Sequence, residues 1–394
     1  MNYIEPAGKS FRKTILALFL GSFVTFADLY STQPVIPVFA KQFGVSPPMA
    51  SLTLSFATGT LSICLLLVSF FSESIDRKKI MGVALTMSAL LSISVSFVQD
   101  DIYLLIAIRA VQGAVLAGFP AIAMAYINEE FHPKSLGYVM GIYVSGSSIG
   151  GLAGRLIVGV LTDHYSWNVA IGSLGVLSLL ISLFFWWMLP SSQHVTHTNM
   201  SVKRMIESLR HNMKNPQLLW LFGMAFLLMG SFVTVYNFVG IPLMEPPYQL
   251  SQTLIGFIFL IYLVGTFSST WMGKLADRYS RGRVLLTGIL IMLAGALLTL
   301  AVPLSMKILG LALFTFGFFG AHSIASGWVG RLADKNEKAQ ASALYLFFYY
   351  GGSSIVGATG GIFLIRFGWG GVISVVSILI ILAAICIWMV KKVK

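Results

Sequence analysis

Apolar runs of about twenty residues, each long enough to cross a bilayer as a helix, recur along the whole 394-residue chain. They fall at 14–39, 49–71, 80–98, 103–127, 136–162, 168–189, 218–244, 252–272, 284–303, 306–330, 339–365 and 371–390. Charged residues make up 10% of the chain, against about 25% in soluble domains. Mean hydropathy is +0.84. A membrane barrel would show short alternating segments instead. The chain reads as an all-α membrane protein with twelve transmembrane helices and both termini on one side. Lys9, Arg12 and Lys13 precede the first run as in a signal peptide, but the run exceeds a signal h-region and reads as a retained span.

The formal net charge of +12 is explained by where the basic residues lie. Of 26 Lys and Arg, 21 fall in the termini and loops on one side of the twelve spans. Lys41, Lys307 and Arg366 fall on the other side, and Arg109 and Arg155 lie within spans. This asymmetry orients the chain with both termini cytoplasmic and removes nucleic acid as a partner. Cys64 and Cys386 lie in apolar runs without partners at metal-ligand spacing, so neither a disulfide framework nor a metal site is expected. His194 and His197 form an H-x-x-H pair in a polar linker without carboxylates beside it.

The longest polar segment, 190–217, divides six spans from six. The expected organisation is an N-terminal six-helix bundle (1–189), a cytoplasmic linker (190–217) with a short amphipathic helix near 201–213, and a C-terminal six-helix bundle (218–394). The two bundles repeat one another. GSFVT occurs at 21–25 and at 230–234, 209 positions apart, placing Asn237 opposite Asp28. The loop Ser72–Arg77 matches Ala276–Arg281, Gly113 matches Gly317, and Ser147-Ser148-Ile149-x-Gly151-x-x-Gly154 matches Ser353-Ser354-Ile355-x-Gly357-x-x-Gly360. Parallel repeats of this kind imply pseudo-symmetric halves around a central substrate site.

These residues resemble the major facilitator superfamily over essentially the whole chain. Residues 69–81 resemble its loop motif G-x-L-x-D-R-x-G-R-K, and the second copy, from Gly273 to Arg283, is closer to it. Arg109-x-x-Gln112-Gly113 resembles the R-x-x-Q-G motif, and Gly146-Ser-Ser-Ile-Gly150-Gly151 the antiporter motif G-P-x-x-G-G. Pro34-Val-Ile-Pro37 ends the first span as in twelve-helix drug–proton antiporters, and the fifth span is similar to YnfM-type bacterial inner-membrane transport proteins. Asp76 and Ser280 replace the turn Gly in the two loops, a position read as a left-handed turn, and Ser147 replaces the motif Pro. The resemblance implies a bacterial inner-membrane location.

Among fourteen acidic residues, Asp28 alone lies near mid-span. Such a carboxylate is costly and by default marks a functional site. Low polarity disfavours its charged form, which suits a group that exchanges protons between two aqueous sides. Arg109 is positioned to pair with it, and the resemblance implies a part in proton coupling. His322 in the tenth span is a further titratable candidate. Substrate contacts are expected from Asp28, Tyr30, Tyr236, Asn237 and Arg155, with an aromatic pocket around them. For Asn237 an interhelical hydrogen bond, and for Arg155 a charge pair within its own half, are equally open readings. The resemblance implies a cytoplasmic latch of Glu73, Arg77, Asp277 and Arg281 that breaks as the halves rock. Gly146, Gly150, Gly151 and Gly154 let helices approach closely, here expected between the fifth span and the other half. Gly146–Gly150 also fits the hydrolase pattern G-x-S-x-G, which requires a strand-to-helix turn and so does not apply inside a span.

Neither G-x-x-x-x-G-K-[ST] nor G-x-G-x-x-G occurs, so no nucleotide cofactor is expected. The expected function is proton-coupled export of small organic molecules by a monomer in the lipid bilayer. The alternatives are proton-coupled uptake of a metabolite and, more remotely, a transporter-like receptor or membrane enzyme.

Overall fold

A computed structural model describes residues 3–5, 9–71, 76–132, 135–192, 202–334 and 337–392. Apart from one bridging pair, Ile4 with Phe131, its regular structure is helical. The helices are α1 (Lys9–Tyr30), α2 (Ile36–Gln42), α3 (Pro47–Phe71), α4 (Arg77–Val95), α5 (Ile102–Leu116), α6 (Pro120–Glu130), α7 (Leu136–His164) and α8 (Trp167–Met188). They continue as α9 (Val202–Lys214), α10 (Pro216–Phe238), α11 (Gly240–Met244), α12 (Gln252–Ile258), α13 (Tyr262–Arg278), α14 (Arg281–Leu298), α15 (Leu304–Leu332) and α16 (Lys338–Lys392).

Prolines explain why several spans come in two pieces. Pro34, Pro120 and Pro242 have no N–H to give the carbonyl four residues earlier. Those carbonyls belong to Tyr30, Leu116 and Phe238, where α1, α5 and α10 end. In α16 the break is at Gly368, whose φ of 61° is a conformation glycine adopts without penalty. Counting each broken run as the sequence requires, twelve apolar crossings result. Helix starts are held by side chains that accept from first-turn N–H groups: Asp76 from Lys78, Asp101 from Tyr103 and Leu104, Ser166 from Val169, Asn215 from Gln217 and Leu218.

Asp76 thus departs from expectation. It and Ser280 stand at the positions before α4 and α14 with φ of −51° and −64°. No left-handed residue is needed there, which is why Asp and Ser can replace the motif Gly.

The chain forms two compact units, Met1–Val38 with Phe56–Asn199, and Phe39–Ser55 with Met200–Lys394. Residues 39–55, assigned by sequence to the first bundle, group with the second unit, where Ser354 Oγ donates to Ser55 O at 2.6 Å.

In the first unit α1 lies along α7. A Cβ on Gly146, Gly150 or Gly154 would drive into the main chain at Phe19, Phe23 or Ala27. These glycines therefore close the fifth span onto the first span of its own unit, which corrects the expected packing against the other half. Gly151 points elsewhere, toward the Arg155 side chain. In the second unit the same crossing joins α10 and α16, with Gly352 against Phe226 and Gly360 against Thr234. At the middle contact the glycine has changed helix: Gly150 meets Phe23 in one unit, while Gly230 meets Val356 in the other.

Candidate functional site

This packing sets the register of the repeat. Phe19, Phe23 and Ala27 occupy the places of Phe226, Gly230 and Thr234, a separation of 207 positions. The GSFVT match, at 209, is two residues out of step. Asn237 is consequently the counterpart of Tyr30, and the counterpart of Asp28 is the buried Val235. The geometry agrees: Gly151 O accepts from Arg155 Nη1 beside Tyr30, and Gly357 O accepts from Asn237 Nδ2 at 3.2 Å.

Asp28 lies in the last turn of α1 and is fully buried. Ser88 Oγ on α4 donates to its Oδ2 at 2.8 Å, and Ser178 Oγ on α8 donates to its Oδ1 at 2.8 Å. Both hydroxyls offset the desolvation that a buried carboxyl suffers. Gln112 Nε2 extends the network to Ser88 O (3.0 Å), Ser88 Oγ (3.1 Å) and Ser92 Oγ (2.7 Å).

Arg109 reaches the same place by another route. Its Nη1 donates to the main-chain oxygen of Asp28 at 2.9 Å and to Gln112 Oε1, and its Nη2 donates to Leu29 O. The last carbonyls of a helix lack intrahelical partners; here the guanidinium caps Leu29 O and shares Asp28 O with Ser31 Oγ, which donates to it at 2.9 Å. Arg109 is 1% exposed, so it does not snorkel to headgroups. The guanidinium thus forks onto the end of α1 that carries Asp28, close enough for its charge to act on the carboxyl.

Two residues further on, the opposite face of α1 carries Tyr30. The Arg155 guanidinium lies 4.1 Å from the Tyr30 ring centroid, a cation–π arrangement, and Arg155 Nε donates to Gln33 Oε1 at 2.7 Å. The first span thus presents a carboxyl cluster toward α4, α5 and α8, and an arginine–tyrosine cluster toward α7.

In the second unit Tyr236 Oη and Thr315 Oγ1 lie 2.6 Å apart. His322 Nδ1 is 2.9 Å from Tyr345 Oη, and its ring centroid is 4.5 Å from that of Tyr349. Tyr236 also borders a dense aromatic group that includes Phe232, Phe318 and Tyr262. His322 therefore sits among rings.

The expected latch residues form ion pairs inside their own units. Arg77 clamps Glu129 through two hydrogen bonds of 2.5 and 2.6 Å. Asp277 lies 3.7 Å from Arg281 and 3.5 Å from Arg331. Glu73, His194 and His197 lie outside the described residues. Sequence reasoning missed Ser88, Ser178 and Glu129. Serine is common in these spans, and Glu129 stands beside Glu130 at a span end where loop acids abound. It also missed the group His211, Asp334 and Glu337, the first two exposed and the third half-buried, whose ligand atoms lie within 4.8 Å of one another although His211 is more than a hundred residues from the two acids.

The Major Facilitator Superfamily profile matches residues 18–245 and 225–394. The chain is 41% identical over 381 residues to the inner membrane transport protein YnfM of Escherichia coli (strain K12), covering 97% of this chain and 91% of that protein. It is 26% identical over 315 residues to the chloramphenicol resistance protein CraA of Acinetobacter baumannii, covering 77% and 74%. A bacterial homolog of the human lysosomal transporter Spinster, solved in an inward-facing and occupied conformation, shares the fold at a TM-score of 0.79 and 14% identity, covering 98% of both chains. Twelve helical crossings, a duplicated six-span unit and these matches place the chain in one family: it belongs to the major facilitator superfamily, a multi-pass membrane transporter for small molecules.

Proposed function

We propose that this chain is a proton-coupled exporter of small organic molecules, working by alternating access as a monomer with both termini cytoplasmic. The observation that carries the reading is Asp28: a fully buried carboxyl whose two oxygens each accept from a serine hydroxyl. An acidic group at this depth is costly to keep without a function. It can hold a proton in one state and the serine hydrogen bonds in the other.

In the proposed cycle Asp28 takes a proton from outside, and substrate enters from the cytoplasm once the proton has left. Arg109 couples the two by fixing the helix end that carries Asp28. Tyr30, Arg155, Tyr236 and Asn237 supply substrate contacts, Tyr236 beside the aromatic group of the second unit. His322, hydrogen-bonded to a tyrosine, is secondary to Asp28 as the proton carrier. Export is favoured over uptake by the antiporter-like fifth span and by similarity to a protein named for chloramphenicol resistance. The latch role of Arg77, Asp277 and Arg281 is part of the same proposal, with pairs in each unit that tighten or loosen as the units move.

The test uses energised inside-out vesicles, a pH-sensitive dye and a panel of cationic, neutral and anionic compounds. Wild type is compared with Asp28→Asn. A compound that collapses the pH gradient with wild type alone supports the reading, and its charge narrows the substrate class. Equal responses from both proteins remove Asp28 as the proton site.

A further inference from the structure

The glycine contacts between α1 and α7 end at Gly146 and Phe19. Toward the beginnings of both helices the facing residues become large, and the helices part around a cavity of about 650 Å³. That volume lies in the range of small-molecule and cofactor sites. Phe11 and Ile15, 6% and 8% exposed, form its floor, and Leu16 and Tyr138, 47% and 65% exposed, form its rim. Phe11 is fixed from both sides: the Tyr138 ring is parallel to it to within 7°, and Phe131 meets it edge-on.

Among the described residues that line the cavity, one is a cation. Arg12 is exposed and has no hydrogen-bond or ion-pair partner among the described residues. Lys13, next to it in sequence, lies 4.7 Å over the Trp187 ring. From Arg12 to Phe19 the wall runs about 10 Å at the helical rise, and it is apolar throughout except for Ser135 at the same end as Arg12.

We propose that this groove holds an anionic phospholipid of the leaflet on the basic side of the protein, its phosphate on Arg12 and one acyl chain along Ile15, Phe19 and Ile142. Three features select this occupant. Arginine matches phosphate oxygens with two parallel N–H donors. Basic sites beside membrane helices on the cytoplasmic side recognise anionic headgroups. The apolar wall begins immediately below the charge, the order of headgroup and chain in a lipid.

The proposal is independent of proton coupling. Purified protein in detergent is titrated with phosphatidylglycerol and with phosphatidylcholine, and bound lipid is counted by native mass spectrometry. Wild type is expected to bind phosphatidylglycerol at least tenfold more tightly. Arg12→Gln is expected to lower that affinity to the phosphatidylcholine level, and Ile142→Trp to reduce binding of both lipids. Circular dichroism and the unfolding temperature check each variant, and Leu16→Trp at the rim replaces Ile142→Trp if the latter does not fold. Equal affinity of wild type for the two lipids overturns the proposal, as does an unchanged preference in Arg12→Gln. Arg12-dependent transport of decyl phosphate across vesicles, with lipid binding independent of Arg12, also overturns it and assigns the groove to cargo.

Discussion

Ser178 Oγ donates to Asp28 Oδ1 at 2.8 Å, joining the sixth span to the first across 150 residues of sequence. With Ser88 on the opposite oxygen, the carboxyl is satisfied by two helices other than its own. Removing one hydroxyl leaves a buried carboxylate oxygen short of a donor, a loss of about 1–3 kcal/mol. Ser88→Ala and Ser178→Ala are therefore each expected to slow coupled transport about tenfold or more, with the double variant near the background of Asp28→Asn. Initial rates in the vesicle assay check this, with unfolding midpoints confirming that each variant is folded. Unaltered rates in both single variants would remove the serines from the proton site.

Arg109 grips two main-chain oxygens from two nitrogens of one planar fork, a geometry that the single nitrogen of an ammonium does not reproduce. Arg109→Lys is expected to lose most transport although the charge is kept, and to lower stability by about 1–3 kcal/mol, the cost of leaving a buried acceptor unpaired. Thermal unfolding in detergent measures the second effect. A lysine variant with wild-type stability and rate would show that charge alone suffices.

Gly150 and Gly151 are sequence neighbours with different surroundings. A methyl on Gly150 meets the Phe23 main chain, which cannot yield, while one on Gly151 would stand 3.3 Å from Arg155 Nη1 at the tip of a flexible side chain. Gly150→Ala is expected to cost about 1–3 kcal/mol by overpacking, and Gly151→Ala less than half of that. The two unfolding midpoints, taken side by side, decide it, and equal losses would contradict the close approach.

The two loop pairs should also differ. Arg77 and Glu129 have side chains 5% and 14% exposed and meet through two bonds. Asp277 is 67% exposed and 3.7 Å from Arg281. Glu129→Ala is expected to destabilise by about 3 kcal/mol, because it strands a buried cation, and Arg77→Ala added to it should not double the loss. Arg281→Ala should cost below about 1 kcal/mol. Denaturant midpoints for the four proteins test this ordering.

Much of the architecture was legible in the sequence because the energy of placing a helix in a bilayer is local. Each residue of a twenty-residue run contributes separately to its transfer from water. The twelve crossings, the six-plus-six duplication, the one-sided basic loops and the exceptional position of Asp28 all follow from sums along the chain. The prolines that divide the first, fourth and seventh spans act on a carbonyl four residues away, and are equally local.

What only the tertiary structure decided is which distant groups meet. Helix contacts are settled where backbones approach, at Gly150 with Phe23 and at Gly230 with Val356, and a glycine on either helix serves. A short shared word such as GSFVT could therefore slip by two residues, pairing Asn237 with Asp28 when packing pairs it with Tyr30. The same holds for Ser88 and Ser178, two common residues made specific by the one carboxyl they surround, and for Arg109, which reaches two main-chain oxygens of another helix. Every residue supplies such oxygens, so no sequence pattern marks them. They become binding groups where a helix ends and a distant donor can reach them.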